Sequence, residues 1–598
     1  MSPVANSTIG MAESGRGRGR TRGMRGGASV ALLIGLLAAA AGPAAAQGSR
    51  APSGGSSGGF PTALPGTPVS PNALVSPPRS DVPPKGRRLT AQRVGASADA
   101  VEKVRRERRE WPRSTREVFL KGVDRWQVSY FARTPPGTPR KEIAQVLIDD
   151  NSGRVLEAWT DYQVAWSMAR GYPGAFGRIV NAPWVWIPLA LAFLVPFLRR
   201  PWGMLHLDLL VLSAFSASTA FFNAARIDVA VPMLYPLLAY LLARMLWIAL
   251  RRRGDEAAQR ARQPLRLLVP MRWLAVAVIF LIGFRVALNI TDSNVIDVGY
   301  AGVIGADRIV DGSPLYGAFP SDNASGDTYG PVVYLAYVPF EQAASWSGRW
   351  DDLPAAHAVA IAFDLLACLL LFLIGRRVRG PDLGVLLAYA WVTYPFTLYA
   401  LMSNSNDTLV AALVLAAVWA AGSPPGRGAF IALAGLTKFA PLALAPLFAT
   451  HGGLRPRTLL AYVAGFGIAA SLAFVPLLGN LDWRPFWDHT IAFQAQRGSP
   501  FSIWGLYDPD VEWLNVAQRV AQAAAILLAL ALAFVPRRRD IVGLAAAAAA
   551  ILLALQLAVT HWFYLYIPWF FGLVMIALLG RAGLAGGMSP LRRHAAER

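Results

Sequence analysis

The chain has 598 residues, of which 54% are hydrophobic and 16% charged, against about a quarter charged in a soluble domain. That composition excludes a soluble globular protein. Its formal charge of +21 sits mostly on Arg beside apolar runs, which reads as membrane topology and contact with anionic headgroups. Nucleic-acid binding is the minor reading of that charge, because no basic patch carries interleaved aromatics on a soluble module. The single cysteine, Cys368, excludes an intrachain disulfide and a cysteine-based zinc site.

Residues 1–46 place Arg16, Arg18, Arg20, Arg22 and Arg25 before the apolar run ASVALLIGLLAAAAG and the small residues Ala44-Ala45-Ala46. This predicts a signal peptide or an uncleaved signal anchor, and either one puts the next segment outside the cytoplasm. Residues 47–95 are rich in Gly, Ser and Pro and predict a disordered linker. Residues 96–175 predict a small extracytoplasmic α+β module. ADAVEKVRRERREW reads as a charged helix, while WQVSYFAR and EIAQVLIDDNSGRVLEAWT alternate around a D-D-N-S-G turn, the mark of paired strands. The strand, acidic turn, strand pattern resembles small PepSY-type domains and implies a spacer or a docking site for a protein partner.

Apolar runs then predict spans near 182–199, 203–222, 227–250, 271–289, 355–375, 383–401, 405–422, 457–478, 513–536, 541–560 and 562–580. Two further segments, 331–347 and 428–450, carry Pro or Lys breaks. For the Arg-rich loops to share one side, 331–347 must stay outside. The 428–450 segment must enter and return as half-helices with Lys438 near the turn. The fold class is an all-α polytopic membrane protein with about 11–13 membrane segments and the small α+β domain in front. Three additional spans fill 180–250, a core fills 271–580, and 581–598 form a basic cytoplasmic tail.

The most informative stretch is the polar loop from Asn289 to Pro331. Lipid does not demand such a loop, and carboxylates at a membrane rim are costly unless solvated or used. Asp297 opens a predicted amphipathic helix over 298–310, as its N-cap or as a general base. Asp292 reads as the end of the preceding helix. Arg497 lies in a polar stretch of a later outer loop. Asn404-Ser405-Asn406-Asp407 caps a helix, or Asn406 and Asp407 bind sugar hydroxyls. His561 stands at a span boundary and titrates near neutrality when unperturbed. Asp351-Asp352 reads as a helix-start cap.

Asp297-Val298-Gly299-Tyr300, Asp311-Gly312-Ser313-Pro314-Leu315-Tyr316 and Tyr329-Gly330-Pro331 together resemble the first outer loop of the polyprenol-phosphate-mannose-dependent mannosyltransferases, membrane enzymes of the GT-C class. Leu436-Thr437-Lys438-Phe439-Ala440-Pro441 is similar to that family's Lys-Pro break, and His561-Trp562 to its His-Trp. The family's Tyr-Pro-Pro is Tyr-Gly-Pro here, which blurs subfamily and acceptor. The resemblance covers about 271–580. It implies transfer of a mannose-like sugar or arabinose from a polyprenyl-phosphate donor to an extracytoplasmic glycan or glycolipid acceptor. Asp297 would be the base and His561 a second catalytic residue. Lys438 and then Arg497 would hold the donor phosphate, with Tyr300, Tyr316 and Tyr329 beside Asn406 and Asp407 in substrate binding. There is no Walker-type loop and no paired metal-binding His, and the resemblance implies that no metal is required; no cofactor is expected. The other readings are a transporter or flippase of lipid-linked intermediates, which broken helices also suit, and a noncatalytic cell-envelope assembly protein. The Ala- and Arg-rich usage points to a bacterial plasma membrane.

Overall fold

The computed structural model describes residues 74–122, 124–133, 140–171, 176–199, 202–251, 266–350, 353–507, 511–535 and 540–581. The expectations for 1–46, for 47–73, for Asp351-Asp352 and for the tail beyond Arg581 lie outside these residues.

The first described unit is an antiparallel meander of β1 (Leu74–Val75), β2 (Thr115–Lys121), β3 (Arg125–Phe131), β4 (Glu142–Asp149) and β5 (Val155–Thr160), in that spatial order. Its core follows from the two-residue period of β3 and β4. Trp126, Val128 and Tyr130 face Ile148, Val146 and Ala144 across the pair. They are buried together with Val94, Ala98 and Val104 from the helices Ala91–Asp99 and Glu102–Glu110.

Of the linker expected over 47–95, residues 74–95 are described and carry regular structure. Leu74 and Val75 pair with Lys121 and Leu120, and a helix begins at Ala91. The cause is Asp150, whose buried carboxylate accepts the N–H groups of Arg88 and Leu89 at 2.8 and 3.1 Å and the indole N–H of Trp126 at 2.7 Å. A buried carboxylate is expensive unless hydrogen-bonded. That demand, rather than local apolar content, orders the chain ahead of the first helix.

Among the described residues seven helices are long and apolar enough to cross a membrane: Met204–Asn223, Ile227–Leu250, Met271–Asp292, Pro354–Arg379, Pro456–Leu477, Glu512–Phe534 and Ile541–Ala558. Pro381–Thr393 and Pro395–Met402, bent by 58°, make an eighth. Three of the eleven expected spans fall short: Pro183–Phe197, Asp407–Gly422 and Tyr564–Leu579. At about 1.5 Å per residue they do not reach the roughly 30 Å of a hydrocarbon core. Hydropathy could not separate them from spans, because burial in protein selects the same residues as lipid does. Every residue of Ile567–Leu579 is buried. By contrast Ile279, Phe280, Leu460 and Leu527 are exposed on the long helices, as lipid-facing residues are.

Both interruptions satisfy their freed backbone groups internally, as an apolar setting requires. At the bend, Pro395 cannot donate to the Trp391 carbonyl; the Thr397 hydroxyl does so instead at 2.5 Å. Arg285 donates to the Val392 carbonyl at 3.3 Å and forms a buried ion pair with Asp364 at 2.6 Å. At the second interruption the helix Pro424–Gly435 stops and a 3-10 turn resumes at Ala440. The carbonyls of Leu436 and Thr437 accept from Val332 N at 3.1 Å and Gly330 N at 3.2 Å, the unpaired N–H groups where the helix Pro331–Ala343 begins. Arg427 closes the other end, donating to the Ala421, Phe448 and His451 carbonyls at 2.6, 3.1 and 2.8 Å. The 424–451 segment therefore runs out and back with Lys438 at its turn.

The seam makes a stringent demand on Gly330, where a Cβ would sit 2.0 Å from the Leu436 carbonyl oxygen. Gly330→Ala should cost about 1–3 kcal/mol, the usual cost of overpacking, and lower the thermal midpoint in detergent. Gly467→Ala, where a Cβ meets open space, should leave that midpoint within error of wild type.

Candidate active site

Polar residues from distant segments converge beside that seam. Asp297 is the first residue of the helix Asp297–Val310, and Ile296 occupies the N-cap. Its charge faces the positive end of the helix dipole. The carboxylate is exposed to solvent, yet enough protein surrounds it that burial raises its pKa above the ordinary Asp value; Arg497, the Val298 N–H and Lys438 pull the other way. A group both accessible and surrounded lines a hollow rather than the outer surface. The rival carboxylate, Asp292, ends the preceding helix and lies 4.0 Å from Arg178.

Lys438 Nζ is 2.6 Å from Asp407 Oδ1, which also accepts the Trp569 indole N–H at 3.0 Å. The rings of Tyr329, Tyr566 and Trp569 surround the ammonium, with centroids at 5.5, 5.3 and 5.3 Å. This cage keeps the cation inside the protein and away from lipid headgroups. Arg497 is held differently: its guanidinium lies 5.5 Å from the Trp166 ring centroid and 5.8 Å from that of Phe493. Among the described residues no carboxylate pairs with it. The two residues expected to hold a phosphate, Lys438 first and Arg497 second, thus differ: the Lys438 charge is matched by Asp407, and that of Arg497 by no carboxylate among the described residues.

His561 Nδ1 lies 2.8 Å from Ser499 Oγ, and its ring stacks on Trp166 with centroids 5.9 Å apart. Burial first, then Arg497 and Lys438, hold its pKa well below the ordinary His value. It is therefore a neutral imidazole at neutral pH, able to orient a group by hydrogen bonding but not to offer a cation to a phosphate. The Tyr329 phenol, raised well above its ordinary pKa by burial and then by Asp297, is neutral too.

The remaining residues expected to contact substrate, Tyr300, Tyr316, Asn406 and Asp407, are buried. The Tyr300 hydroxyl donates to Asp322 at 3.2 Å while its ring stacks on Trp350 at 4.9 Å. Tyr316 donates to the Tyr329 carbonyl at 3.2 Å and packs in the core with Tyr334 and Phe486. Asn406 is wholly buried, with neither side-chain polar atom partnered among the described residues. Asp407 is buried and committed to Lys438. Asp327, missed in the sequence, is buried, accepts the Gly317 N–H at 2.6 Å and pairs with His489 at 2.9 Å. That contact ties the loop bearing Tyr329 to the loop bearing Arg497. Among the described residues no group of three or more His, Cys, Asp or Glu is arranged to hold a metal ion.

Residues 328–560 match the sequence model of Glycosyltransferase family 87, a glycosyltransferase family of the GT-C-like membrane type. The matched segment contains Tyr329, Asp407, Lys438 and Arg497, and it leaves Asp297, His561 and the N-terminal module outside. No curated protein matches the chain.

The buried Asp407–Lys438 pair is testable by a double-mutant cycle. Asp407→Leu alone strands a caged ammonium and should cost about 3–5 kcal/mol. Adding Lys438→Met should recover much of that loss in denaturant unfolding, giving strong coupling between the two sites.

Proposed function

We propose that this protein is a membrane glycosyltransferase that moves a sugar from a polyprenyl-phosphate donor to a hydroxyl of an extracytoplasmic glycan or glycolipid. The observation that carries the reading is the meeting, in one hollow, of an accessible carboxylate, Asp297, with Arg497, which no carboxylate ion-pairs among the described residues. The family match over 328–560 supports sugar transfer. Positive-inside reasoning supports an outward-facing site.

A polyprenyl phosphate leaves readily at neutral pH, so no strong general acid is required. Asp297 takes the proton as the acceptor oxygen attacks the anomeric carbon. The bond from that carbon to the phosphate oxygen breaks, and the electron pair goes to the departing phosphate. Arg497 meets the growing charge with a bidentate face, and Lys438 adds longer-range attraction from its cage. Neutral His561 orients a hydroxyl or a phosphate oxygen. Mannose and arabinose are the sugars proposed from the resemblance of the first outer loop.

In proteoliposomes with a radiolabelled polyprenyl-phosphate sugar, Asp297→Asn should lower transfer by about 10²–10⁴-fold, the range of general base catalysis. Arg497→Ala should weaken donor use more than Lys438→Ala does. Activity should fall with acid at a pH above the ordinary carboxylate range, because burial raises the Asp297 pKa. The folded chain then keeps a proton that the unfolded chain has lost. Stability from this group therefore declines as pH climbs from the ordinary Asp range through the raised value. Asp297→Asn should accordingly unfold no earlier than wild type at neutral pH. Normal turnover by that variant would remove the base assignment.

A further inference from the structure

Trp166 belongs to neither the core nor the matched segment, yet it touches two residues of the hollow. Beyond Arg497 and His561 it packs edge-on against Phe501 at 5.4 Å, and Phe501 meets His561 at 6.0 Å. The turn that carries it is closed from both sides. Gln163 donates to the Ala169 and Ala225 carbonyls at 2.9 and 3.3 Å. Arg170 donates to the Gln163 and Val164 carbonyls at 2.8 and 3.1 Å. Arg170 also reaches Gln145 of β4 at 3.0 Å, so the sheet itself fixes the turn. On the core side Gly171 presses against the loop after Met204–Asn223, where a Cβ would lie 2.5 Å from the Asn223 carbonyl oxygen. A continuous path of contacts thus runs from the N-terminal sheet to Arg497.

The manner of holding matters chemically. A carboxylate partner would orient a guanidinium and also occupy its donors. Aromatic rings orient it through the face while its N–H groups stay free for an oxyanion. Arg497 is held by Trp166 and Phe493 alone among the described residues.

We propose that the N-terminal module is an integral part of the transferase site, with Trp166 the positioning residue that holds the Arg497 guanidinium and the His561 imidazole for a lipid-linked phosphate. This rests on the donor reading of the preceding section.

The test uses the full chain in detergent with polyprenyl monophosphate as the probe, and separately the rate at which diethylpyrocarbonate modifies His561, mapped by mass spectrometry. Trp166→Ala should weaken probe binding by roughly three- to thirtyfold, the range of a cation–π contact, and speed His561 modification several-fold. Trp166→Leu keeps apolar bulk without a ring and should behave like Ala; Trp166→Phe should restore most of both readouts. Trp184→Ala, at a ring 70% exposed on the helix Pro183–Leu194, should change neither. Simple packing would predict rescue by Leu, and that result overturns the proposal. So would wild-type binding together with an unchanged His561 rate in folded Trp166→Leu. The His561 rate does not depend on the donor. A wild-type chain blind to polyprenyl phosphate, with His561 still uncovered by Trp166→Leu, rejects the donor of the preceding section and upholds the coupling of module to site.

Discussion

Two hydrogen bonds between interrupted backbones organise the rest of the molecule. Gly330 and Val332 offer N–H groups that no helix partner can take, and Leu436 and Thr437 offer carbonyls in the same position. In an apolar setting each would cost several kcal/mol unpaired, so they find one another. The pairing places Tyr329, one residue before the seam, against Lys438, one residue after it. It also allows 424–451 to reverse direction inside the protein. Lys438 is thereby carried to Asp407 and Trp569, and the ammonium acquires its cage.

From that arrangement follows a division of charge. Two carboxylates and two cations share the region, but they are not equivalent. Asp407 and Lys438 are mutually committed and mostly sealed, whereas Asp297 and Arg497 remain accessible and are not directly paired. Burial raises the Asp297 pKa and drives charge off His561. On the proposed reading one physical cause thus prepares a proton acceptor and a neutral hydrogen-bonding ring, while Arg497 meets an arriving phosphate without a competing carboxylate partner among the described residues.

Much of this was legible because polar residues stand out against an apolar chain. Asp297, Lys438, Arg497, His561 and Tyr329 were each picked from segments that lipid does not explain, and they meet. The helix over 298–310, the turn at Lys438 and the paired strands around D-D-N-S-G were legible through caps, breaks and period-two alternation. What stayed hidden depends on partners remote in sequence. Tyr300, Tyr316 and Asn406 carry functional-looking side chains, and nothing local says that a neighbouring helix covers them. Asp150 ordering residues 88–89 is a contact across about sixty residues, invisible to composition. Trp166 was unreadable for the same reason: an aromatic after a strand reads as core until its partners are known.

The boundaries of the family match sharpen the role of what lies beyond them. The matched segment contains Lys438, Arg497 and Tyr329, while Asp297 stands before it and His561 one residue past its end. Near Lys438 the matched segment contributes Asp407, already committed to that ammonium; on the proposed reading the proton acceptor comes from the preceding loop. Trp166 extends the same logic outward, because the module in front of the core touches Arg497 and His561 rather than the caged Lys438. On the proposed reading, donor binding is anchored by the core, while its geometry at the reacting centre is set by parts added on either side. A change confined to the module should therefore alter how the phosphate is presented without unmaking the cage that attracts it.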